Sequence, residues 1–277
     1  MDLIRGAEKG VTLLELLIVL MIIGILVTAA VKTWDVSLQR SRFNSTLKEM
    51  DNLVWAIAGN PNLITGGKRS DFGYVGDIGM LPITLRDLYE NPGNFSQWRG
   101  PYIKQIFQES PLGYMIDAWG DTYVYPNPMT IYDTSPVYVR SYAGGSSIIK
   151  ETWLTKSIAA KKRDIVSNIV AGNFYDAHGD PPGISAGSLD SIYIKLYYPR
   201  LGKIDSFTPI RVDTSNFSIA GVPIGNHKIK AIGVHRTGTT RYVDSAEKYV
   251  CVYPRIGASD VRIHFPALLF GLKETEP

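Results

Sequence analysis

The sequence predicts an α+β chain: a long N-terminal helix packed on a small antiparallel-sheet head, followed by an all-β sandwich. Three observations carry this. Val11 to Val31 is an apolar run interrupted by one charge, Glu15. Residues 60–147 are rich in Gly, Pro and aromatics. Beyond residue 164, short apolar runs recur between Gly, Pro and Asp turns. The 277 residues, 45% hydrophobic and 20% charged, are ordinary globular composition with room for about two domains. A net charge of +3 is too small to argue for a nucleic-acid partner. Cys251 is the single cysteine, so no internal disulfide staples the fold.

As a helix, Val11–Val31 would be ~31 Å long, enough to cross the hydrocarbon core of a bilayer. A cleaved secretory signal is the competing reading, and Thr28-Ala29-Ala30 would accept such a cut. The length of the run, the buried charge and the unbroken continuation oppose it. Beyond Val31 the period changes. Val31, Trp34, Leu38, Leu47, Met50, Val54 and Ile57 recur at three- and four-residue steps, apart from a gap near Phe43, opposite Lys32, Asp35, Arg40, Lys48, Glu49 and Asp51. That is an amphipathic face needing a globular cover. Gly59-Asn60-Pro61 ends it, so one helix is expected from about Val11 to Ala58. An ionised Glu15 at membrane depth costs on the order of 3 kcal/mol. With no Lys or Arg nearby in the run, its partner must be another chain or an amino group made by cleavage.

Gly10-Val11-Thr12-Leu13-Leu14-Glu15 and the apolar run after it closely resemble the N-terminus of type IV prepilins and type II secretion pseudopilins. The resemblance implies a leader, residues 1–10, removed by a prepilin peptidase after Gly10, and methylation of the new terminus at Val11. It implies that Glu15, with Thr12, Leu13 and Leu14 beside it, serves assembly, the carboxylate neutralising the terminal amine of a neighbouring subunit. Two residues depart from the pattern. Val11 stands where Phe is usual, and Lys32 stands where many members carry a helix-breaking proline.

In the head, Leu81-Pro82-Ile83-Thr84-Leu85-Arg86-Asp87-Leu88 reads as a short helix start. Tyr123 and Tyr125, then Val137, Val139 and Ser141, alternate as antiparallel strands do. Trp98-Arg99-Gly100-Pro101-Tyr102 and Asp117-Ala118-Trp119-Gly120-Asp121-Thr122-Tyr123-Val124-Tyr125 resemble, in order and spacing, the head of major pseudopilins. Those relatives hold calcium in the following loop, but Pro126–Ser147 offers only Asp133. Calcium needs about six to eight oxygens, so no metal is expected. Trp98 and Trp119 are read as packing aromatics rather than ligand-stacking ones, and Asp117 and Asp121 as turn formers.

Residues 148–164, with Lys150-Glu151 and Lys161-Lys162-Arg163-Asp164, read as a connecting helix or linker with a solvated charge run. Strands are expected at Ile165–Tyr175, Ser191–Tyr198, Phe207–Val212, Phe217–Ala220, His227–His235, Lys248–Tyr253 and Val261–Phe265, making a sandwich of residues 165–277. The stretch Phe217–Ala231 and the turn Asp176-Ala177-His178-Gly179-Asp180-Pro181 resemble a carboxypeptidase regulatory-like, transthyretin-like domain. Such modules are spacers, stabilisers or contact surfaces.

Catalytic chemistry is sparse. Gly183-Ile184-Ser185-Ala186-Gly187 fits the nucleophile-elbow pattern but lies between Pro-Pro and a strand rather than between strand and helix. His227 and His235 are too far apart along one strand to share a metal. Gly66-Gly67-Lys68-Arg69 lacks the phosphate-loop spacing.

The resemblances imply a non-enzymatic filament subunit without cofactors: a single-pass protein of the bacterial inner membrane, its head outside the cytoplasm, later part of a periplasmic or cell-surface fibre. Implied partners are copies of itself or other pilin-like subunits, the prepilin peptidase, an inner-membrane assembly platform and, before assembly, membrane lipid. The machine could be a pilus, a secretion system or a competence system. Two other readings stand beside this. One is a minor or tip pilin whose sandwich binds a surface, glycan, DNA or secretion substrate. The other is an anchored hydrolase using Ser185.

Overall fold

A computed structural model describes residues 12–103, 112–145, 147–181, 191–206, 210–212, 215–237 and 239–267. Helix α1 runs without interruption from Leu13 to Ala58. With Lys32 in place of a proline, nothing removes a ladder hydrogen bond, and no break appears there. Gly59 caps the C-terminus at φ 80, a conformation open to glycine. A second cap comes from the hairpin of β1 (Ile64–Thr65) and β2 (Lys68–Arg69). The buried Arg69 guanidinium donates to the carbonyls of Ala58 and Gly59. A cation thus meets the negative end of the helix dipole and satisfies carbonyls that α1 cannot pair itself.

The head covers only the last turns of α1. Thr46, Met50, Leu53, Ala56, Ile57 and Ala58 are buried, whereas Val31, Trp34 and Leu38 remain exposed. The amphipathic face predicted from Val31 onward is therefore covered by the chain's own head only from Thr46. Its register also differs: Leu53 is buried, while Val54 is half-buried. The polar side is not simply solvated. Tyr123 donates to Glu49 at 2.9 Å, and Lys156 pairs with Asp51 at 2.8 Å. Helix α2 (Gly73–Ile78) lies against α1. A Cβ on Gly73 would come within 2.6 Å of the Ala56 carbonyl oxygen, so this approach requires glycine. The expected helix start is a 3-10 turn, Leu85–Leu88, closed by a capping box between Thr84 and Asp87.

Strand β3 (Val137–Ser141) forms as expected, but its ladder partner is β4 (Leu154–Ala159), inside the segment read as a connecting helix or linker. The expected strand at Tyr123–Tyr125 is reduced to isolated bridges, with Val124 facing Arg140. Pro126 follows at once, and proline cannot donate to a ladder.

After α3 (Arg163–Val166) come β5 (Asn168–Tyr175), β6 (Ser191–Arg200), β7 (Lys203–Ser206), β8 (Ile210–Val212), β9 (Asn216–Val222), β10 (Gly225–Thr237), β11 (Thr240–Val252) and β12 (Ala258–His264). One sheet has the order β11-β10-β6-β7, with β8 also on β6; the other is β12-β5-β9. The two enclose a common core that includes Phe174, Ile194, Phe217, Ile229, Val250 and Ile263. Every expected strand has a counterpart, but Ile165 and Val166, expected to open the first, close the helical turn α3 instead, and β7 is an addition. The pairing of β12 with β5 is parallel.

Head and sandwich meet along a close seam. Ile165, Ile224 and Cys251 belong to the head's apolar cluster. Gly202 donates to the Ile78 carbonyl at 2.9 Å, and Gln97 donates to the Gly202 carbonyl at 3.1 Å. A Cβ on Gly79 would stand 1.9 Å from the Pro199 carbonyl oxygen. The Cys251 thiol donates to the Arg69 carbonyl at 3.7 Å, joining β11 to the residue that caps α1. The same five-residue turn appears on both sides of the seam. Asp117 Oδ1 accepts from the backbone of Trp119 and Asp121, as Asp176 Oδ1 does from His178 and Asp180.

Candidate assembly surface

The bare half of α1 is the feature that the rest of the fold does not account for. Fourteen large apolar side chains between Leu13 and Val31 stand 47–83% exposed. Burying one such side chain is worth about 1.5–3 kcal/mol, so the set represents tens of kcal/mol of unrealised burial. Among the described residues, α1 is the one helix long and apolar enough to cross a membrane. Its few hydroxyls suit an apolar medium. Thr28 donates to the Gly24 carbonyl at 2.8 Å and Thr33 to the Ala29 carbonyl at 2.9 Å, leaving neither proton unsatisfied in lipid.

Gly10 and Val11 lie outside the described residues. Thr12 is the N-cap of α1, and its hydroxyl accepts from the Glu15 backbone N–H at 3.3 Å. Leu13 and Leu14 are exposed in the first turn. The cap is written in the sequence as Thr-x-x-Glu, the spacing of a capping box, at the very start of the apolar run. Glu15 projects from the first turn, exposed and with no ion pair among the described residues. The helix N-terminus favours negative charge there, and an amine brought alongside would complete the pair.

The grip on α1 starts a few turns further on. Trp119 donates to Gln39 at 3.0 Å, and the Ala118 backbone donates to Thr46 at 3.2 Å. Trp98 is half-buried, edge-on to Tyr102 at 5.8 Å, and donates to the Asp87 carbonyl. Both tryptophans are held by the protein's own groups. Asp117 is buried inside its turn, and Asp133 pairs with Lys162 at 3.3 Å. Ser185 lies outside the described residues. His227 is buried at the seam, where burial pushes its pKa down to about 4 against a hydrogen bond with the Pro223 carbonyl. His264 stacks on Tyr175 and His178 sits in the Asp176 turn, so these two lie in separate settings.

Residues 5–31 match the prokaryotic N-terminal methylation motif. The type II secretion system core protein G of Xanthomonas campestris pv. campestris is 29% identical over 143 residues, 52% of this chain and 87% of that protein. About half of the present chain lies outside that likeness.

Proposed function

We infer, from the support that the methylation motif and the core-protein-G likeness give to membership of the type IV pilin and pseudopilin family, that this chain is a filament subunit assembled through α1. The observation that carries the reading is the contrast within one helix: the end beyond Thr46 is buried by its own head, and the apolar start, with Glu15 on it, is left bare. Before assembly the bare half sits in the membrane. The prepilin peptidase cuts after Gly10, and the Val11 amine becomes the partner of Glu15 on a neighbouring subunit. Apolar packing of α1 against other copies then replaces lipid. The sandwich lies on the fibre surface or at its tip, because a bundle of helices leaves it no room inside. The chain is not read as an enzyme, since the features that support the reading are those of structural subunits.

Two measurements test this. Intact mass and N-terminal sequencing of the mature protein should find a chain beginning at methylated Val11; a start at Met1 or near Ala30 overturns the processing step. Glu15→Leu should keep membrane insertion and reduce incorporation into fibres at least about tenfold, the effect of losing roughly 1.4 kcal/mol of pairing. Normal fibres in that variant would sink the assembly role of Glu15.

A further inference from the structure

Beside α3 the surface carries charge that the fold leaves unpaired. The turn between β11 and β12 is closed by Tyr253 and Gly257, whose backbone N–H groups donate to one another's carbonyls at 3.0 and 2.9 Å. Arg255 and Ile256 stand at its tip. Two contacts fix that tip against the rest of the chain. The Arg255 backbone donates to the Asp164 carbonyl at 2.8 Å. A Cβ on Gly257 would stand 2.1 Å from the Ile169 carbonyl oxygen. Arg255 is thus set beside α3, and Ile256 beside the start of β5. With Lys161 and Arg163 they line a cleft of about 600 Å³. Its charge is one-sided: Lys161, Arg163 and Arg255 stand against a single carboxylate, Asp164. Asp164 is itself engaged, its Oδ2 accepting from the Lys161 backbone at 3.1 Å. The adjacent Lys162 adds nothing to the excess, because Asp133 pairs with it at 3.3 Å. Lys161, Arg163 and Arg255 are exposed and make no ion pair among the described residues. In the same cleft Ile169 and Ile256 are 54% and 75% exposed. An isoleucine alone on a surface needs no explanation, but two in one charged cleft mark a contact site.

We propose that this cleft docks a segment of another protein in which acidic side chains flank an apolar one. Charge complementarity selects the acid: an excess of two positive charges favours an anionic occupant over a neutral or basic one. Two of the three cations are arginines, whose planar guanidinium takes a carboxylate through two parallel hydrogen bonds. The isoleucines select the class of molecule. An apolar side chain laid on Ile169 and Ile256 removes them from water, a contact that inorganic phosphate or a sugar–phosphate backbone does not offer. The anchored turn holds Arg255 and Ile256 in place beforehand, so little ordering of the backbone has to accompany binding. The cleft has room for one segment rather than a whole domain face, which suits a transient partner. The proposal concerns α3 and the β11–β12 turn, and stands whether or not α1 assembles as inferred above.

The test is fluorescence anisotropy of labelled probes titrated with the full mature chain in detergent micelles, with empty micelles as the blank. The first probe is a soluble peptide of glutamates flanking one central leucine. The others are the same peptide with glutamine for glutamate, the same peptide with serine for leucine, and oligo-dT. The glutamate–leucine peptide should bind, more weakly as salt is raised. Its glutamine and serine counterparts should each bind at least about tenfold more weakly. Arg163→Gln, Arg255→Gln and Ile256→Ser should each weaken binding by about tenfold, the loss expected of a central contact. Lys195→Gln, a lysine of β6 outside the cleft, should leave it unchanged. No binding, equal binding of the serine peptide, or tighter binding of oligo-dT would each overturn the assignment. So would dimers of the chain in sedimentation that Arg255→Gln abolishes, since a second copy would then be the occupant. Peptide binding and fibre formation are read separately, so failure of either leaves the other reading untouched.

Discussion

The two ends of α1 are built from similar residues but answer to different partners. From Thr46 to Ala58 the helix is a core element: Met50, Leu53 and Ile57 are fully buried, and its terminal carbonyls are capped by Arg69. From Leu13 to Leu38 it presents apolar side chains to whatever surrounds the molecule. The difference shows that apolarity alone does not say who will cover a surface. The covered end pairs its apolar positions with charged ones that the head recognises, Glu49 and Asp51. Within the bare end, the apolar run from Leu13 to Val31 has one charge, Glu15, and its recognition must come from outside the chain.

Substitutions can break that contrast. Leu53→Ala should cost about 2–5 kcal/mol of stability in denaturant titration of the monomer in micelles. Leu17→Ala, on the bare half, should change that monomer stability little while weakening fibres. Equal losses at both sites would mean that the two ends are not distinct. The seam adds an acid limit. His227 is held neutral, with its pKa lowered to about 4 from an ordinary value of 6.5. The stability associated with the neutral ring is complete above pH 6.5 and is lost as pH falls through about 4, roughly 3 kcal/mol in all. His227→Gln should remove that part of the pH dependence between pH 7 and pH 4. Tyr123→Phe, which deletes the hydrogen bond to Glu49, should cost about 1 kcal/mol. Lys156→Ala, at a partly exposed pair with Asp51, should cost less than about 1 kcal/mol and show salt dependence.

Much of this architecture is legible in the sequence because it is local. Gly59 ends α1 as expected, and the strands of the sandwich fall where alternation and turns place them. What escaped is non-local. Strand β4 exists because β3 pairs with it, and nothing in Lys150-Glu151 or the residues after it announces a partner. The choice of Leu53 over Val54 depends on where the head sits around α1. The seam depends on Gly79 and Pro199 meeting across more than a hundred residues, a distance over which no local pattern pairs them. Of the candidate site, Glu15 stood out by cost alone, whereas the role of Thr12 as its cap required the helix to begin at Leu13.

The bridge from Cys251 through Arg69 to the last carbonyls of α1 has a mechanical side. Because Leu154–Ala159 is a strand of the head sheet, the residues between β3 and α3 are not a free tether. A pull on β11 is therefore carried by the guanidinium clamp, the Gly79–Pro199 approach and the Ile165–Ile224 packing into the helix axis. Sandwich and helix are joined by several contacts at once, so a load on the sandwich would reach the helix axis through all of them.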